Sequence, residues 1–164
     1  MKNEALGMRN GSSEDFLRSP FPVLRSPFFV PPVGFVLLIH DHPFVHWDLL
    51  VQHGEVLRSW RLLESPDRWR SAAESTELSA ESIGDHRLLY LDYEGPVSRE
   101  RGRVVRWDHG QAEWLVNGEA AVRLKLSGGR LIGELTLKLT TLRPLWSARF
   151  FPTATGVLEP KSRS

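Results

Sequence analysis

Phe35-Val36-Leu37-Leu38-Ile39-His40-Asp41-His42-Pro43-Phe44-Val45-His46-Trp47-Asp48-Leu49-Leu50-Val51 sets two apolar, branched runs on either side of a short polar break. The first run reads as a buried strand, Asp41-His42-Pro43 as a tight connection, and the second run as the strand that leaves it. Side chains alternate faces along a strand, so His46 and Asp48 share one face, and a hairpin turning at His42-Pro43 folds His40 back towards them. Two imidazoles and a carboxylate then converge. Such a set suits a first-row divalent ion and leaves coordination positions open for water or substrate. The spacing fits plainer roles as well, with His40 capping a strand, His46 on a rim and Asp48 serving a turn.

Outward from this hairpin, Val33 to Trp60 reads as an antiparallel meander with Gln52-His53-Gly54-Glu55 as its second turn. In its third strand Leu57, Ser59 and Arg61 alternate with Val56, Arg58 and Trp60, giving one mixed face and one that carries the indole into the core. Ser65-Pro66-Asp67 opens a short helix, with a capping hydroxyl, a proline at the first helical position and an acidic residue beside it. The Ser/Glu-rich chain that follows, up to Gly84, shows no strong period and is expected to be loop. Arg87 to Tyr93 is expected to be a strand, with His86, Leu88, Tyr90 and Asp92 on one side. Two hairpins are expected beyond it. One joins Gly102–Asp108 to Gln111–Val116 around His109-Gly110; the other joins Ala121–Ser127 to Leu131–Leu139 around Gly128-Gly129. A last strand covers Trp146–Phe151. Strands at regular spacing, glycine turns and little helical periodicity predict a mainly β chain, an antiparallel β-barrel-like domain with one or two short peripheral helices.

The 164 residues suffice for one ordinary domain. Residues 1–33, with Arg18-Ser-Pro-Phe repeated at Arg25-Ser-Pro-Phe and then Pro31-Pro32, read as a flexible tail and an extended arm; residues 34–151 form the barrel domain and 152–164 a second tail. With 21 basic residues against 20 acidic ones the net charge is +1, so no global field draws the chain onto nucleic acid. Any such contact must come from local patches, and basic residues do outnumber acidic ones from Arg99 onward. The absence of Cys excludes disulfides, thiolate metal sites and cysteine nucleophiles. No signal-peptide or membrane-spanning run stands out, so a cytoplasmic protein without membrane contact is expected.

The His40-Asp41 pair followed by His46-Trp47-Asp48 resembles the metal motif of the 3′-phosphoesterase module of bacterial ligase D, the end-joining DNA ligase. The resemblance continues through Gly54–Trp60, Asp85-His86-Arg87-Leu88-Leu89-Tyr90, Asp92-Tyr93-Glu94-Gly95, Gly102–Gly110 and Leu124–Gly133, in the family's order. It implies an eight-stranded barrel-like core with the metal site in a polar crater at one end. It also implies a divalent metal, expected to be Mn2+, held by His40, His46 and Asp48, with His86 and Tyr90 as catalytic residues. Nucleic-acid 3′ ends are the implied partners. Polymerase or ligase functions in end joining would come from separate proteins.

The chain also departs from that pattern. Where the family places an arginine two residues after the metal aspartate, this chain has Leu50; a family lysine corresponds to Glu64, and a polar position before the first histidine is Leu38. A guanidinium at position 50 would grip phosphate with two parallel hydrogen bonds, and leucine makes none. Arg87, Arg103 and Arg106 are candidates to replace it. Three readings follow: a metal-dependent phosphoesterase acting on 3′ ends, a module that binds nucleic-acid ends or a partner protein without turnover, and a non-haem iron enzyme, which uses the same ligand set. His42 neighbours the ligands but is expected to be exposed, and His53 and His109 have no assigned role.

Overall fold

The computed structural model describes residues 30–71 and 76–154; the readings placed on the N-terminal tail and on the chain beyond 154 lie outside these residues. Its elements are β1 (Val33–His40), β2 (His46–His53), β3 (Val56–Leu62), the helix α1 (Asp67–Ser71), β4 (Glu77–Arg87), a 3₁₀ turn (Leu88–Leu91), β5 (Gly95–Pro96), β6 (Arg103–Asn117), β7 (Ala121–Gly128), β8 (Ile132–Leu139) and β9 (Leu145–Pro152). The strands run β1-β2-β3-β4-β9-β8-β7-β6, and β6 pairs back onto β1, closing an eight-stranded antiparallel barrel to which β5 adds a short pairing on β6. Closure pairs every long strand on both sides and leaves none of them as an open edge.

Period-2 alternation builds the interior. Val122, Leu124 and Leu126 of β7, Leu135 and Leu137 of β8, and Trp146, Ala148 and Phe150 of β9 are buried while their neighbours face outward. They meet Phe35, Leu37, Leu49, Val51, Trp60 and Leu62 in the main core. Helix α1 inserts Trp69 into this core against Phe150, and its indole N–H donates to the Thr76 carbonyl at 3.0 Å. A second apolar cluster occupies the opposite face of β1–β3. Val36, Leu38, Leu50, Leu57 and Val104 pack there beneath Leu88, Tyr90, Leu91, Tyr93 and Val97. Covering on both faces explains why Phe35–Ile39 is continuously apolar rather than alternating.

Three expectations are corrected. The Ser/Glu-rich chain before Gly84 is not loop: most of it is β4, paired with β3 and β9, with Leu78 and Ala80 turned into the core. Its Ala, Ser and Glu content has weak strand preference, and pairing on both sides overrides it. Arg87–Tyr93 is not a strand. Pairing with β3 ends at Val56↔Arg87, and the chain then winds into the 3₁₀ turn, closed by Asp92 N–H donating to the Leu89 carbonyl at 3.2 Å, because Leu88, Tyr90 and Leu91 cover the second cluster. The hairpin expected at His109-Gly110 is absent as well, since β6 runs unbroken through it to Asn117. Gly110 lies opposite Gly128, where a β-carbon would collide with the Ser127 carbonyl, so glycine serves close strand approach there and not a turn. The hairpin around Gly128-Gly129 is present. The buried Asp108 carboxylate holds its turn, accepting backbone N–H groups from Gly129, Arg130 and Leu131 at 2.8–3.0 Å.

Candidate metal centre and phosphate pocket

β1 ends on His40 and β2 begins on His46, and the two residues are direct cross-strand partners. The connection between them is tied down by Asp41, whose carboxylate accepts the Arg103 N–H at 2.7 Å. Gly102 makes this approach possible, with φ at +72° and no room for a β-carbon beside Asp41 and His42. Asp41, quoted with His40 in the sequence motif, thus braces the loop.

Trp47, Leu49 and Val51 point into the main core, which puts His46, Asp48 and Leu50 on the other face. The site accordingly lies on the face of β1–β4 turned away from the main core, near the end where His40 and His46 meet. His40 Nδ1 is 3.6 Å and His46 Nε2 3.4 Å from the same oxygen, Asp48 Oδ2. One ligand atom from each residue lies within 4.8 Å of the others.

Backbone carbonyls set both tautomers. A carbonyl only accepts, so His40 Nε2 donates to Arg101 O at 2.6 Å and leaves Nδ1 with its lone pair; His46 Nδ1 donates to Phe44 O at 2.8 Å and leaves Nε2 with its own. His46 is fully buried, and its Nε2 has no hydrogen-bond partner. A buried lone pair without a partner is costly, and a cation between these three atoms would satisfy it. Burial alone would raise the Asp48 carboxyl, but its polar neighbours, His46 first and then Arg61 and His40, outweigh it and hold the group below the ordinary carboxylate range. The donor set fits a first-row divalent ion.

Beside the triad opens a cavity of about 470 Å³, lined by His40, Asp48, Leu50, Arg61, His86, Arg87, Tyr90 and Arg101 among others. His86 and Tyr90 are brought together as expected, with ring centroids 5.7 Å apart, although a strand followed by a 3₁₀ turn does this and not one continuous strand. Ser59 orients His86. Its hydroxyl donates to the Leu57 carbonyl at 2.8 Å and so accepts from His86 Nδ1 at 3.0 Å, leaving Nε2 as the nitrogen available for proton transfer. Burial pushes the His86 imidazole below its ordinary value, opposed by the negative charge of Asp48 and by the Gly84 carbonyl.

Of the arginines considered as replacements at position 50, only Arg87 lines the cavity; Arg103 and Arg106 do not, and the Arg106 guanidinium reaches back towards the Leu91 carbonyl. Leu50 is fully buried at the cavity wall. Glu64 does not line the cavity; it accepts Ser79 N–H and pairs with Arg68. His42 is exposed at the rim, as expected. Sequence reasoning passed over Arg61. It stands directly across from Asp48, with Nε 3.4 Å from Oδ1. Counting the β2–β3 register back from the Gly54 turn pairs Asp48 with Arg61, and that count was the available signal.

Among the described residues no helix is long and apolar enough to cross a membrane. No curated protein matches the chain. The family model described as the DNA ligase D 3′-phosphoesterase domain matches residues 39–139, more than half of the chain and the whole of the site from His40 to Arg101, and the chain therefore belongs to that family.

Proposed function

We propose that this protein is a metal-dependent 3′-phosphoesterase that removes 3′-terminal phosphate or a 3′-ribonucleotide from DNA or RNA ends, with His40, His46 and Asp48 as metal ligands, His86 and Tyr90 as catalytic residues, and Mn2+ as the expected ion. The observation that carries the reading is the pair of imidazole lone pairs, fixed by two backbone carbonyls, that converge on one carboxylate oxygen beside a basic cavity. When bound, the ion supplies Lewis acidity towards a phosphoryl oxygen and lowers the pKa of a water.

The chain's own groups do the rest. Tyr90 donates its phenol O–H to a non-bridging oxygen as charge develops on the phosphoryl group. His86, held by Ser59 through Nδ1, presents Nε2 to the leaving O3′; in its imidazolium form it gives the proton that the departing alkoxide needs as water attacks the phosphorus and the P–O3′ bond breaks. Arg87 and Arg101 add positive charge around the phosphate.

Binding of ends without turnover is a second reading, favoured by the apolar side chains of Leu38 and Leu50 in the cavity wall. The non-haem iron reading gains no support from the cavity, whose three arginines suit an anion. The deciding experiment is a primer-template carrying a 3′-phosphate, incubated with the protein and manganese beside a His40→Ala control. Release of phosphate by the wild type alone is expected. Binding of the end with no release at any metal tested would replace catalysis by recognition.

A further inference from the structure

Leu50 leaves the site without a guanidinium on β2, yet the neighbouring strand brings one to the same face. Arg61 of β3 is the cross-strand partner of Asp48, and its Nε donates to Asp48 Oδ1, while both histidines face Oδ2. The carboxylate is therefore divided, with one oxygen for the imidazole pair and the other for Arg61. Among the described residues neither Nη1 nor Nη2 of Arg61 has a hydrogen-bond partner, and the side chain lines the cavity with about a quarter of its surface exposed (26%) against 6% for Asp48. A guanidinium anchored through Nε keeps its outer edge, Nη1 and Nη2, for two oxygens of one phosphate.

The other two cavity arginines are committed differently. Arg101 turns back into its own loop, with Nε donating to the Ser98 carbonyl at 2.9 Å and Nη2 to its hydroxyl at 3.3 Å. Arg87 lies over the Tyr90 ring, 6.0 Å from its centroid. Arg61 is the guanidinium anchored on a member of the triad.

We infer that Arg61 is the phosphate-gripping residue of this site, binding two non-bridging oxygens of a terminal phosphate through Nη1 and Nη2 while Nε keeps Asp48 aligned. The inference rests on the phosphoesterase reading for the identity of the ligand, but not on turnover. It moves the phosphate grip from the strand of the metal ligands to the next strand, at a position whose backbone pairing with Asp48 fixes the distance between grip and metal.

The test separates binding from catalysis. Affinities for two oligonucleotides of one sequence, ending in 3′-phosphate or 3′-hydroxyl, are measured with the full chain in chelator, for wild type, Arg61→Gln and Arg61→Lys. Wild type should prefer the phosphorylated end by about tenfold or more, Arg61→Gln should lose that preference, and Arg61→Lys, which keeps charge but not the fork, should fall between. With manganese, Arg61→Gln should raise KM by a similar factor at unchanged metal occupancy. If Arg61→Gln keeps the phosphate preference and changes only metal occupancy, Arg61 is a counter-charge to Asp48 and the inference fails while the proposed function stands. If the preference collapses in Arg61→Gln but wild type turns nothing over with metal, Arg61 holds its role and the proposed hydrolysis fails. Loss of folding in Arg61→Gln leaves the decision to Arg61→Lys, where an undiminished preference overturns the bidentate grip.

Discussion

At the scale of single residues the site depends on which nitrogen carries a proton. His86 donates through Nδ1 to Ser59, so whatever it does for substrate it does at Nε2, and burial makes its cationic form a stronger acid than a free imidazolium. Two consequences follow with definite sign. As general acid its active form is lost as pH rises through a pKa below the ordinary imidazole value of 6.5, so kcat should fall on that alkaline side, and His86→Gln should lower the rate and remove that limb while metal stays bound. For stability the sign is opposite: the unfolded chain takes up the proton first, so His86 makes the folded state less stable as pH falls from 6.5 towards the depressed folded value. A pH-rate profile of the variant that kept the wild-type limb would remove His86 from the proton transfer. Leu50 is the second residue with a prediction of its own. It shares the face of Asp48 and lines the cavity, so Leu50→Arg should lower KM for a 3′-phosphate at unchanged metal occupancy, with charge-assisted hydrogen bonds worth roughly 1.5–3 kcal/mol each. It should also lower Tm, because Leu50 packs with Val36, Leu38 and Leu57. An unchanged or weaker KM in the folded variant means that position 50 does not reach the phosphate.

Among the elements, those with a hairpin signal were legible and those without one were not. The two apolar runs around Asp41-His42-Pro43 predict the pairing of His40 with His46, and strand parity alone puts Asp48 beside them. β4 escaped notice because Leu78 and Ala80 are its only fully buried side chains, too few to show a period. Arg61 was read for its face but not for its partner, since register across a second turn was not counted. Gly110 shows the limit most clearly, because a glycine in a turn and a glycine in a crowded strand look identical in sequence. The two roles predict different mutants. A β-carbon at Gly110 meets the backbone of Ser127 and Gly128, which cannot swing aside, whereas one at Gly84 in β4 meets nothing within 4 Å. Gly110→Ala should therefore lose about 1–3 kcal/mol in urea unfolding, and Gly84→Ala should stay within about 0.5 kcal/mol of wild type. Equal stability of the two variants would return Gly110 to a permissive position.

Over the whole molecule, the barrel separates stability from chemistry by face. The interior is apolar and closed by the β1–β6 pairing, while the opposite face of the four successive strands β1–β4 carries His40, His46, Asp48, Arg61 and His86. The covering segment, with Tyr90 and Arg101, has only the smaller second cluster beneath it. The triad residues stand on β1 and β2, and a carbonyl of Arg101 that orients His40 joins this cover to the barrel wall, so an ion bound at the triad would bind the folded chain and have no equivalent site in the unfolded one. At free metal about 100 times Kd, linkage adds about 2.7 kcal/mol, which for a domain of this size raises Tm by roughly 10 °C. Manganese should produce that rise in wild type, and excess chelator should reverse it. His46→Ala and Asp48→Ala should show little or none of it, and should also lose the metal in elemental analysis. An equal rise in either variant would place the ion elsewhere on the barrel, and the orphaned Nε2 of His46 would then need another explanation.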